Sequence, residues 1–99
     1  MNSINVRCAE LSALNGLFYD NYIIAEISKE KDYFVITAYG KGLKIFPVRC
    51  RQLSQLFADA DTIFVRISRI NDRFKIDVIK RIRMEQRKLS DWLPQLKWW

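Results

Sequence analysis

The sequence predicts an α+β domain: an N-terminal helix, a three-stranded antiparallel meander, a short helix, a β-hairpin and a C-terminal helix with an apolar tail. Three observations predict it. Hydrophobic spacing is helical near the start, changes to period two at Tyr22, and becomes helical again after Met84. Chain breakers are few, three glycines and two prolines in 99 residues, and most fall between those segments. The composition, 49 % apolar and 28 % charged, is that of a chain that can bury a core. This length supports one domain over residues 1–99, and neither a low-complexity segment nor an internal repeat is read.

The first helix is expected over Asn5–Leu14, with Cys8, Leu11 and Leu14 on one side and Asn15-Gly16 as its stop, although Ile4–Cys8 also alternates as a strand would. Strands are expected over Tyr22–Ser28, Asp32–Tyr39 and Leu43–Val48. A two-residue Gly40-Lys41 turn sets Ala38 opposite Leu43, Ile36 opposite Ile45 and Phe34 opposite Pro47. A four-residue loop over Lys29–Asp32 sets Ile27 opposite Phe34 and Ala25 opposite Ile36. Both choices give one apolar face of Ile23, Ala25, Ile27, Phe34, Ile36, Ala38, Leu43 and Ile45. The opposite face mixes polar residues with Tyr22, Ile24, Tyr33, Val35, Tyr39 and Phe46, which is too apolar for open water, so half of it is expected to be covered.

A short helix follows over Arg49–Ala58, with Leu53, Leu56 and Phe57 on its inner side, and Asp59-Ala60-Asp61 reads as a turn. The second hairpin is expected from Thr62–Ile70 and Phe74–Met84. Closing it at Asn71-Asp72 pairs Val65 with Val78 and Ile67 with Ile76 inside, and Arg66 with Asp77 and Ser68 with Lys75 outside. In this register Lys75, Arg81 and Arg83 share the outer face. Glu85–Trp92 is helical by composition, with Leu89, Trp92, Leu93 and Leu96 at helical spacing. Pro94 ends it and leaves Gln95–Trp99 as an apolar tail.

Charge is unevenly placed. Residues 1–65 hold seven basic and seven acidic side chains, whereas residues 66–99 hold ten basic and four acidic, so the formal charge of +6 belongs to the last third. That third also holds all three tryptophans. Arg66, Arg73, Lys75, Arg81, Arg83, Arg87 and Lys88 are therefore the candidate nucleic-acid contacts, and Trp92, Leu96, Trp98 and Trp99 the candidate anchors for a protein partner.

Catalysis is not expected. With no histidine, imidazole bases, Ser-His and Cys-His pairs and histidine metal ligands are excluded. Asp59 and Asp61 lack a third ligand nearby, no acidic residue stands two before a lysine, and Gly40-Lys41-Gly42 is too short for a phosphate loop. No catalytic residue, metal site or cofactor is assigned. Cys8 and Cys50 stand 42 residues apart with no C-x-x-C, as reduced, buried thiols do. With apolar runs of about four residues and no secretory pattern at the start, the chain is expected in a cytoplasm, with neither a membrane nor a small-molecule substrate as its partner.

The run Lys41–Pro47 followed by Arg51–Leu56 resembles the last-strand-to-helix junction of coactivator-type single-stranded-DNA-binding domains. The resemblance covers about sixteen residues of general amphipathic pattern. The hairpin after the helix departs from that family, and none of its binding residues are carried over. Two function classes follow from the sequence. The first is a small basic protein that holds DNA or RNA through the C-terminal hairpin and helix. The alternative is an adaptor or inhibitor, of the type phages use on host enzymes, that docks on a larger nucleic-acid-processing protein through its Trp-rich end and basic strip. A homodimer is compatible with either.

Overall fold

The computed structural model describes residues 1–83. Six strands form one antiparallel sheet: β1 (Ser3–Val6), β2 (Tyr22–Lys29), β3 (Phe34–Tyr39), β4 (Leu43–Val48), β5 (Thr62–Ile70) and β6 (Arg73–Ile82). Their order across the sheet is β1-β6-β5-β2-β3-β4. Two 3₁₀-helices, Ala9–Leu14 and Arg51–Leu56, lie in the connections β1–β2 and β4–β5. No helix among the described residues is long and apolar enough to cross a membrane.

This corrects the expected α+β class. The predicted N-terminal helix is a strand followed by a single 3₁₀ segment, because Ile4 and Val6 alternate inward and pair with Ile76 and Phe74 of β6. The second helix is likewise 3₁₀. Cys8, Leu11 and Leu14, like Cys50, Leu53 and Leu56, recur at strict intervals of three, which stacks them on one side of a helix with three residues per turn. The predicted C-terminal helix and tail lie outside the described residues.

The core lies on one face of the sheet. Ile23, Ala25, Ile27, Ile36, Ala38, Ile63, Val65, Ile67 and Ile76 are buried there beneath Leu11, Leu14, Leu53, Leu56 and Phe57 of the two helical connections. Phe57 stacks on Phe34, with ring centroids 5.4 Å apart. Cys50 is buried and Cys8 half-buried, both as free thiols, each immediately before a 3₁₀-helix. Burial pushes the Cys50 thiol up to about 11, and the neighbouring Cys8 thiol adds to the shift.

Three register details decide which side chains reach the other face. At β2–β3 the expected pairing slips by two residues, so Ile27 meets Ile36 and the inward face is kept. At β3–β4 the slip is one residue: Tyr39 pairs with Leu43 around Gly40-Lys41-Gly42, which turns Leu43, Ile45 and Pro47 outward and Phe46 and Val48 inward. Gly40 donates its N–H to Gly42 O at 3.0 Å, so ladder bonds alternate through Lys44 and Phe46, and Pro47 sits where a missing N–H costs no bond to β3. At β5–β6 the expected pairs from Val65–Val78 to Arg69–Phe74 all form, but a bulge at Ile79 then sets Phe64 opposite Lys80 and Ile63 opposite Arg81.

The chain is also an internal duplication, contrary to the sequence reading. Val6-Arg7-Cys8-x-x-Leu11-Ser12-x-Leu14 repeats as Val48-Arg49-Cys50-x-x-Leu53-Ser54-x-Leu56. Ile23, Ile27, Ser28, Asp32, Phe34 and Ile36 then repeat as Ile63, Ile67, Ser68, Asp72, Phe74 and Ile76. The offset is 42 in the first stretch and 40 in the second. Pairings follow the same rule: Val6 meets Phe74 where Val48 meets Phe34, and Ile27 meets Ile36 where Ile67 meets Ile76. The strand order is unchanged when the halves are exchanged, with a pseudo-two-fold axis between the paired residues Ala25 and Val65. Each half lends its first strand to the outer side of the other half's hairpin.

Candidate nucleic-acid interface

The face opposite the core carries no covering element among the described residues. Its side chains follow from strand alternation: Tyr22, Ile24, Glu26 and Ser28 on β2; Val35, Thr37 and Tyr39 on β3; Leu43 and Ile45 on β4; Phe64, Arg66 and Ser68 on β5; Arg73, Lys75, Asp77 and Lys80 on β6. The face has two chemistries. Over β2–β3–β4 it is apolar and aromatic, and over β5–β6 it is basic.

In the basic half, Asp77 lies between two cations. Arg66 Nη2 is 3.6 Å from its Oδ2 and Lys75 Nζ 4.0 Å from its Oδ1. Asp77 Oδ2 is buried, yet no hydrogen bond to it forms among the described residues, so the carboxylate is held by charge alone. One carboxylate between two cations leaves an excess of positive charge. The Arg66 guanidinium also lies over the Tyr22 ring at 5.6 Å, at the border between the halves. Arg73 stands near the hairpin tip opposite Ile70. The turn there is Asn71-Asp72, with Asn71 at φ 58°, a backbone region asparagine tolerates better than most residues. Asp72 forms an exposed 2.9 Å ion pair with Arg7.

The predicted contact residues divide. Arg66, Arg73 and Lys75 are together on the outer face. Arg81 is not: the bulge turns it to the core side, where Nε donates to Leu56 O at 2.8 Å and Nη2 to Met1 O at 2.6 Å. It closes the end of the second 3₁₀-helix, whose last carbonyls lack partners within the helix. Arg83, just beyond β6, pairs through Nε with Asp59 at 2.9 Å and serves the β4–β5 connection. Arg87, Lys88, Trp92, Leu96, Trp98 and Trp99 lie outside the described residues. The sequence reading missed Lys80, which the same bulge carries onto the outer face.

No family model, curated protein or solved structure matches this chain. The first half is thus the reference for the second. Positions facing the core stay apolar in both halves, whereas outward positions have diverged towards positive charge on balance: Glu26 corresponds to Arg66, Tyr33 to Arg73, Val35 to Lys75 and, by strand pairing, Tyr39 to Lys80, against one acid gained where Thr37 corresponds to Asp77. The β2–β3 hairpin forms the same paired strands without those cations, so the fold does not require them at these positions. Among the described residues no cluster of three or more Cys, Asp or Glu side chains could hold a metal ion.

Proposed function

We propose that the protein binds nucleic acid in the cytoplasm by occupancy, without catalysis, using the outer face of β5–β6. Arg66, Arg73, Lys75 and Lys80 contact phosphates, and Tyr22 beside Arg66 offers a ring on which one base can stack. The observation that carries this reading is the net divergence of the two halves: four cations against one added acid, Asp77, have accumulated on one hairpin at positions where its twin manages without them. Contacts of this kind favour backbone over sequence, so affinity is expected for many sequences and single strands are the better ligand at Tyr22.

The test is a salt titration of fluorescence anisotropy with short labelled single- and double-stranded DNA and RNA. The wild type is expected to weaken log-linearly with salt. Replacing Arg73, Lys75 and Lys80 by Gln should flatten the single-strand slope by about 2, at roughly 0.7 per phosphate contact. Absence of binding at low salt, or a slope unchanged in the triple variant, refutes the reading and assigns the cations to an acidic protein surface instead.

A further inference from the structure

We propose that residues 84–99 of the same chain dock on the apolar half of the outer face, over Ile24, Tyr39, Leu43 and Ile45. Those four side chains are neighbours: Ile24 pairs with Tyr39, Tyr39 with Leu43, and Ile45 follows two residues along the same edge strand. Leu43 and Ile45 are 63 % and 62 % exposed, an arrangement of aliphatic groups in water that calls for a cover. The corresponding half over β5–β6 is charged and needs none.

Three features select the occupant. Residues 84–99 have no counterpart in the first half, so they are what the duplicated fold has gained, and they carry the apolar groups Leu89, Trp92, Leu93, Leu96, Trp98 and Trp99. The segment leaves from Arg83, which is held at Asp59. From there Leu43 lies about four strand spacings across and five residues along the sheet, on the order of 25 Å at ~4.8 Å per strand and ~3.3 Å per residue, and Ile45 about 22 Å. Sixteen residues span about 24 Å if helical throughout, enough for Ile45, and with Pro94 ending the helix the extended remainder carries the segment on to Leu43. A second copy suits the face less well. Two chains of charge +6 repel, and Pro47 removes one outward N–H that edge-to-edge pairing through β4 would use. This inference is independent of nucleic-acid binding, because the basic half stays open.

All three tryptophans lie in the docking segment, so tryptophan emission of the full chain reports on that segment alone. The expected result is blue-shifted emission, independent of protein concentration and weakly quenched by acrylamide. In Leu43→Glu/Ile45→Glu the emission should move to that of free tryptophan and quenching should rise severalfold. Far-UV circular dichroism checks folding, and Leu43→Thr/Ile45→Thr, which keeps strand propensity, is a milder variant with the same expected direction. Lys75→Glu should leave the emission unchanged. Water-like emission in the wild type overturns the proposal, as does blue-shifted emission that neither pair of substitutions moves. Blue-shifted emission that is lost on dilution also overturns it, in favour of a second copy.

Discussion

Arg81 separates a structural cation from a binding one. Its guanidinium donates to Leu56 O at 2.8 Å and to Met1 O at 2.6 Å, joining β6 to the second 3₁₀-helix and to the start of the chain. Arg81→Met keeps much of the aliphatic bulk and removes both bonds. A hydrogen bond from a charged donor is worth about 1.5–3 kcal/mol, and with one of these two exposed to water we take about 2 kcal/mol for the pair. At a urea dependence of roughly 1–1.5 kcal/mol per molar for a small domain, the midpoint should fall by about 1–2 M. Arg81→Lys keeps the charge, but a single ammonium does not span both carbonyls, so about half that loss is expected. The assay is urea unfolding followed by far-UV circular dichroism, paired with the salt titration of oligonucleotide binding under folding conditions. An unmoved midpoint in Arg81→Met together with a flatter salt slope would refute the assignment and return Arg81 to the binding surface.

Two further outcomes follow from geometry. A Cβ on Gly40 would stand 2.2 Å from the Leu17 carbonyl oxygen, which accepts the Lys41 N–H at 2.9 Å. Gly40→Ala should therefore cost about 1–3 kcal/mol in urea unfolding, while Gly16→Ala, with nothing within 4 Å, should stay within about 0.5 kcal/mol. Cys50 has its folded pKa raised from 9.0 to about 11 by burial and by the neighbouring Cys8, so the folded protein retains a proton that the unfolded chain releases. The stability from that protonated thiol is fully present below pH 9 and is lost as pH climbs towards 11. Wild type should lose stability across that window faster than Cys50→Ala; parallel pH curves would show that the thiol is not the cause.

Sequence pattern resolved the elements better than their faces. Leu43–Val48 and Thr62–Ile70 have the bounds expected, and the inner pairs of β5–β6 follow from matching Val65 to Val78. The errors fall where both faces of a strand are apolar. In β4, Leu43 and Ile45 compete with Phe46 and Val48 for the inside, and the extra turn residue decides between them. In β6, Val78 and Ile79 are adjacent apolar residues, so the bulge that turns Arg81 inward and Lys80 outward leaves no mark in the alternation. The 3₁₀-helices were legible as a spacing of three but are short enough to pass for helical turns. The duplication was hidden by two residues' difference between the linkers of the halves and by outward positions that changed character while inward ones stayed apolar. That divergence is the strongest sequence signal for the candidate site, and it emerges only once the halves are aligned.

The exchange of first strands between halves has a consequence for a chain made from its N-terminus onward. β1 pairs only with β6, so Ile4 and Val6 have no strand partner until Phe74 and Ile76 have been synthesised. At about 5–20 residues per second that delay is roughly 3–14 s. The β2–β3 hairpin meanwhile has only the earlier segment Ala9–Leu14 to lie against it until β4, which contacts that segment, arrives. β1 is thus made before the other five strands and pairs only when β6 is complete, and exposed Ile, Val and Phe side chains in that interval make the nascent chain a client for whatever shields apolar surface during translation.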